Sequence, residues 1–181
     1  MLGFINDFDK ALLDFIQANI KTEFLDVVMP YITMLGNGGI IWIIAGIILV
    51  FIKKHRAIGF TVLLALVLCL LIGNLGIKPL ITRLRPFDVY PHVTLLIPRP
   101  HDFSFPSGHT MSSFAAATVL FWNYKRIGIC ALIIAILIAF SRLYLYVHYP
   151  TDVLGGIIIG VGIAAAAAFI VKTIEERRGL S

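Results

Sequence analysis

From residue 57 to residue 77 the chain carries no charged side chain, and the same holds for 127–141 and 153–171. About 20 apolar residues in a helix cross the hydrocarbon core of a bilayer, and a helix is the one open structure that satisfies its own backbone there. These runs predict an all-α, polytopic membrane protein. Three shorter apolar runs extend the pattern, giving six candidate crossings at 24–35, 38–52, 57–77, 111–122, 127–146 and 153–173. The first and fourth run only about 12 residues, and the fourth reaches full length by starting near Ser107. The whole chain, residues 1–181, reads as one transmembrane domain built as a six-helix bundle. With 59% hydrophobic and 14% charged residues it lies well outside soluble composition, roughly 45–50% apolar.

Residues 1–22 are predicted to form an amphipathic interfacial helix. Ile5, Phe8, Leu12, Phe15 and Ile16 share one side, and Asp7, Lys10, Asp14 and Gln17 the other. Acidic residues at this end do not read as a signal peptide. The net charge of +5 sits in short clusters between apolar runs, which fits membrane topology and gives no reason to expect a nucleic-acid partner. Lys53, Lys54 and Arg56, then Lys125 and Arg126, then Arg177 and Arg178 fall on one face if there are six crossings. The positive-inside rule makes that face cytoplasmic, with both termini on it, and turns the polar stretches 78–109 and 147–152 outward. Cys69 and Cys130 lie inside apolar runs without metal or redox spacing. Gly156 and Gly160 form a small-xxx-small step for close helix packing.

Three polar clusters are therefore expected at one membrane boundary. In "KPLITRLRP", Lys78 and Arg85 stand seven residues apart, which on a continuous helix puts both cations on one face about 10 Å apart. Arg83 reads as a snorkelling side chain. In "PSGH", Ser107 opens a helix whose first amides, on Ser107, Gly108 and His109, make an anion site. Gly108 permits close approach, and capping does not account for His109. In "SRLYLYVHYPTD", Pro150 breaks the helix between Arg142 and Asp152. Asp152 by itself reads as a cap and the tyrosines as an interfacial belt. A histidine four residues before a carboxylate can also have its Nδ1 proton held there, leaving Nε2 as nucleophile or base. Cations, a helix N-terminus, two histidines and one carboxylate suit phosphoryl transfer, and no acidic cluster or zinc set suggests a metal.

These three clusters, in this order and with this internal spacing, resemble the signature of the type 2 phosphatidic acid phosphatase (PAP2) superfamily, over residues 78–152. The resemblance implies a six-helix bundle and a site in which Lys78, Arg85, Ser107, the Gly108 amide and Arg142 hold phosphate. His148 would attack phosphorus, Asp152 would orient it, and His109 would protonate the leaving group, with no cofactor. The implied substrate is a lipid phosphate or pyrophosphate, undecaprenyl pyrophosphate and phosphatidylglycerophosphate among the candidates, and oligomeric state is left open.

Two rival readings belong to other classes. A rhomboid-like protease could pair Ser107 with His148, but it leaves Lys78, Arg85 and Arg142 without work. A lipid or anion transporter or scramblase could use the same basic site, although transport favours ionisable groups near the bilayer midplane. The Pro-rich stretch 86–105 reads as a non-helical loop, with Asp88, His92, Arg99, His101 and Asp102 exposed. Its apolar segment around Leu95 and Leu96 is expected to border a lateral entry for a lipid tail.

Overall fold

The computed structural model describes residues 2–91 and 93–177, so His92 and Arg178 of the sequence reading lie outside the described residues. Among these residues there is no strand. Helices α1 (Leu2–Asn19), α2 (Glu23–Leu35), α3 (Ile40–Phe51) and α4 (Arg56–Leu68) are followed by a π-helical stretch, Cys69–Ile77. The chain continues through the short α5 (Lys78–Ile81) and α6 (Pro86–Val89) to α7 (Gly108–Asn123), α8 (Lys125–Tyr144) and α9 (Pro150–Arg177). The helix α6 shows that the stretch 86–105 is not wholly non-helical.

Helix α7 is the centre of the bundle. Met111, Ala115, Ala116 and Ala117 are fully buried, and the small alanine side chains let α8, α9 and α4 close around it. The step predicted from Gly156 and Gly160 makes this possible. A Cβ at Gly156 would stand 2.9 Å from Ser107 O, and one at Gly160 2.5 Å from Met111 O, so α9 runs directly along the α7 backbone. Outward, large apolar side chains are exposed: Leu80 at 83%, Phe51 at 80%, Phe169 at 72%. A surface of that kind is stable against lipid and not against water.

Three segments are long and apolar enough to cross a membrane: Lys53–Val89, Lys125–Tyr144 and Pro150–Arg177. The first two expected crossings are not independent. Glu23–Leu35 and Asn37–Phe51 form a pair bent by 41°, and the bend occurs where Gly38 and Gly39 take positive φ values of 59° and 68°, which glycine adopts without steric cost. Six separate crossings are therefore not reproduced: among the described residues three segments are long and apolar enough to cross a membrane, or four if the bent pair counts as one span.

Two of the basic clusters, residues 53–56 and Lys125, lie close to one another and to the last turns of α9. Tyr124, beside Lys125, is hydrogen-bonded to His55, and one cavity is bordered by Lys53, Arg56 and Glu175. Helix α1 lies at the other end. Leu13 and Ile16 pack there with Phe87, Tyr144, Tyr146 and Tyr149, and Gln17 Nε2 donates to Tyr144 O at 2.9 Å. The three tyrosines are thus packing residues under α1 and do not form an exposed belt. Asp9 of α1 meets Thr151 at the start of α9, and α9 extends about 40 Å at 1.5 Å per residue, so α1 packs at the far end of α9 from Arg177. The face that α1 buries also differs from the one expected. It contains Asp9, Leu13 and Ile16, while Phe8 and Phe15 point outward, because Asp9 finds its partners inside the bundle.

Candidate active site

The chain brings Lys78 and Arg85 together by breaking the helix between them. Thr82 ends α5 in the left-handed region, with φ 49° and ψ 32°, and Arg85 is extended before Pro86, which opens α6. The continuous two-turn face expected from the spacing is absent. The cations instead converge on one carboxylate: Arg85 Nη2 donates to Asp102 Oδ1 at 2.6 Å and Arg85 Nε to Asp102 O at 2.8 Å, while Lys78 Nζ is paired with Asp102 Oδ2. Both cations are buried.

His148 lies between α8 and α9, 1% exposed. Its Nδ1 faces Asp152 Oδ2 at 3.5 Å, with Ser104 Oγ equally near and hydrogen-bonded to that same oxygen. Arg85 Nη1 lies 3.1 Å from Nε2 and also donates to Val147 O at 2.6 Å. A guanidinium only donates, so Nε2 is the acceptor and the imidazole proton resides on Nδ1. Burial pushes the proton affinity of His148 well below its ordinary value, and Arg85, Arg142 and Lys78 add to this while Asp102 opposes it. A neutral imidazole with its lone pair turned into a cationic pocket is the form that can attack phosphorus.

Arg142, from the last turn of α8, is buried, gives Nη1 to Thr33 Oγ1 at 2.5 Å and leaves Nε with no partner among the described residues. Ser107 caps α7, accepting from Thr110 Oγ1 at 2.9 Å, and its amide donates to Asp152 O at 3.1 Å. That amide is therefore already used, and the first turn offers those of Gly108 and His109 to an anion. A Cβ at Gly108 would stand 2.9 Å from Asn74 Oδ1 and would have to push that amide aside. His109 Nε2 is 2.8 Å from Asn37 Oδ1. Lys78, Arg85, Gly108, His109, Arg142 and His148 all border one cavity of about 570 Å³. Ser107 and Asp152 stand behind it, fully buried.

Three cations against the single carboxylate of Asp102 leave an excess of positive charge, which is complementary to a phosphate dianion. Burial raises the Asp102 carboxyl, but Lys78 and Arg85 outweigh it and hold the group far below the usual carboxylate range. A second cavity, of about 460 Å³, shares Lys78, Asp102, Gly108 and His109 and continues between Ile43, Leu63, Leu66 and Leu70. Charged chemistry thus opens onto an apolar channel. Among the described residues no three His, Cys, Asp or Glu side chains gather as a metal site.

Four residues of this network escaped the sequence reading. Asp102 was expected to be merely exposed and holds both cations; Arg83 was expected to snorkel and binds Asp152 Oδ1 at 2.6 Å and Asp9 Oδ2 at 2.6 Å. Ser104 and Asp9 complete the set. The sequence offers no local signal for them beyond the nearness of Arg83 and Ser104 to the motifs.

An all-helical membrane bundle with an oxyanion cradle facing a carboxylate-backed histidine defines a class, and comparison with known proteins agrees. The PAP2 superfamily matches residues 56–176, and the chain belongs to that superfamily. An undecaprenyl-diphosphatase of Sulfolobus acidocaldarius is 35% identical over 74% of this chain, which spans 65% of the relative's length. A crystal structure of a PAP2-type phosphatidylglycerolphosphate phosphatase from Bacillus subtilis aligns with a TM-score of 0.73 and 31% identity, covering 96% of this chain and 87% of the other. The crystal structure of Aquifex aeolicus LpxE gives a TM-score of 0.73 and 30% identity over 88% and 94%. Relatives named as phosphatases are consistent with a lipid phosphate hydrolase.

Proposed function

We propose that this chain removes phosphate from a lipid phosphate or pyrophosphate, of the undecaprenyl pyrophosphate or phosphatidylglycerophosphate kind, through a phosphohistidine and without a metal. The observation that carries the reading is the meeting of Lys78, Arg85, Arg142 and the His148 Nε2 lone pair in one cavity. The phosphate oxygens bind the three cations and the Gly108 and His109 amides. His148 Nε2 attacks phosphorus as the bond to the lipid oxygen breaks, and Asp152 with Ser104 holds the Nδ1 proton of the imidazolium that forms. The anionic substrate opposes the cationic field and supports a proton on His109, which protonates the departing oxygen. Water then attacks the phosphohistidine, His109 accepts its proton, and inorganic phosphate leaves. The gathering of basic clusters at the far end supports a site on the extracytoplasmic face. Phosphate release from purified protein, across undecaprenyl pyrophosphate, phosphatidylglycerophosphate and phosphatidic acid with and without chelator, tests the proposal. No release from any of them, or release abolished by chelation, counts against it.

Asp102 holds the cations that the substrate phosphate needs, so phosphate must displace a carboxylate. Replacing Asp102 by Asn is expected to tighten competitive inhibition by inorganic phosphate several-fold, in line with the effect of one nearby charge. An unchanged or weaker inhibition constant contradicts that role. Leu96 borders the cavity and is 37% exposed, whereas Leu95 packs into the cluster under α1. Leu96→Gln is accordingly expected to raise KM for a lipid phosphate about fourfold, the loss of one buried methylene at about 0.8 kcal/mol, and to leave that for a soluble phosphoester, which has no tail, within about twofold. Equal effects on both substrates would remove Leu96 from the tail path.

A further inference from the structure

The hydrogen bonds behind the His148–Asp152 pair lead out of the family match and into α1. Asp152 Oδ2 faces His148 Nδ1 and accepts from Ser104 Oγ and, at 2.8 Å, from the Tyr149 amide. Asp152 Oδ1 accepts from Arg83 Nη1 at 2.6 Å. The other end of that guanidinium, Nη2, reaches Asp9 Oδ2 at 2.6 Å, and its Cζ lies over the Tyr149 ring, 4.0 Å from the centroid. Asp9 also accepts from the Thr151 amide at 3.0 Å and from Thr151 Oγ1 at 2.5 Å. One carboxylate from the first helix thus grips both the arginine that holds Asp152 and the residue next to Asp152. Asp9 is fully buried, and the family match starts only at residue 56.

Docking α1 does not require these charges, because Leu13 and Ile16 already bury its apolar face, and burying a carboxylate is costly unless it is paired. Electrostatics supplies a reason for them. Arg83 by itself would neutralise Asp152 and leave it little charge with which to stabilise an imidazolium. With Asp9 on the opposite side of the guanidinium, the three groups carry a net single negative charge, and the Asp152 oxygen that Arg83 does not bind faces His148.

We propose that Asp9 and Arg83 are positioning residues for phosphoryl transfer: Arg83 fixes the orientation of Asp152 against His148, and Asp9 restores the negative charge that Arg83 would otherwise cancel. The N-terminal helix is thereby part of the reaction machinery. This inference rests on His148 as the nucleophile. His148 itself is faced by Asp152 from α9, Ser104 and Asp102 from the loop before α7, Arg85, Arg142 on α8, Lys78 on α5 and His109 on α7. On the far side of Arg83 stand Asp9, Thr151 and Tyr149, while Lys10 is paired with Asp14 and lies over Tyr90.

The test uses the full chain in detergent, the lipid phosphate turned over fastest in the panel above, and the variants Asp9→Asn, Arg83→Met and Arg83→Lys. Asp7→Asn, an exposed charge change on the same helix, serves as control. Asp9→Asn is expected to lower kcat on the order of tenfold, as loss of a partner behind an oriented imidazole does, with KM within about twofold. The acid limb of kcat, where protonation of His148 removes the nucleophile, distinguishes positioning from structure. Removing the negative charge of Asp9 makes the imidazolium less stable, so the limb moves to lower pH. Removing the positive charge of Arg83 makes it more stable, so in Arg83→Met the limb moves to higher pH, each by roughly half a unit. Arg83→Lys keeps the charge and should hold the limb near that of the native protein with part of kcat restored; it carries the test if Asp9→Asn does not fold. An Asp9→Asn protein with native kcat and pH profile, or limbs that move in the same direction in Asp9→Asn and Arg83→Met, overturns the inference. Activity surviving in His148→Ala would instead overturn the phosphohistidine reading, whatever Asp9→Asn does.

Discussion

His148→Ala is expected to lower phosphate release by more than about 10³-fold, the range typical for removal of a covalent nucleophile. His148 lies in the connection between α8 and α9, where alanine has no conformational conflict. The variant should elute from size exclusion as the native protein does. The same experiment has a chemical arm. Brief exposure of the native protein to a radiolabelled phosphate donor, followed by alkaline quench, should trap label that acid releases, as a phosphoramidate bond requires. His148→Ala should trap none. Substantial turnover in the variant would transfer the nucleophilic role elsewhere, and label retained by it would identify a different acceptor.

The second large effect concerns a residue without chemistry of its own. Gly156→Leu is expected to destabilise the bundle by about 1–3 kcal/mol, the usual cost of overpacking, and to lower kcat by roughly 10²-fold, as a displacement near 1 Å at the reacting groups does. The added side chain would meet Ser107 O, with Thr110 Cβ 3.1 Å from its Cβ, and push α9 away from the first turn of α7. That turn carries the Gly108 and His109 amides proposed to bind phosphate, so activity should fall in a protein that remains folded. Gly162, where a Cβ would meet nothing within 4 Å, is the comparison: Gly162→Leu should change neither the thermal midpoint nor kcat appreciably. Equal tolerance at both positions would mean that the close approach of α9 does not set the cradle.

Much of this molecule could be read from local pattern. The apolar runs 57–77, 127–146 and 153–173 foreshadowed the segments that can cross a membrane, and Pro150 marked where α9 begins. Six of the motif residues did meet at one cavity. Local pattern gave no signal where the deciding partner was distant. Two short apolar runs look like two crossings until Gly38 and Gly39 join them into one bent pair. Lys78 and Arg85 share a face on paper, yet they meet because Thr82 interrupts the helix. Arg83 resembles any arginine at a helix end until Asp9, 74 positions away, is placed against it.

By itself, the sequence determined that this chain is a helical membrane protein with three polar clusters whose residue types suit phosphoryl transfer, because length of apolar run and spacing within a turn or two act locally and need no knowledge of packing. The tertiary structure decided which charges lean on which. It placed α1 at the site end, drew Asp102 onto Lys78 and Arg85, and set Arg83 between two carboxylates. Those pairings depend on distances between helices, and such distances follow from how Gly156, Gly160 and the alanines of α7 let neighbouring backbones close.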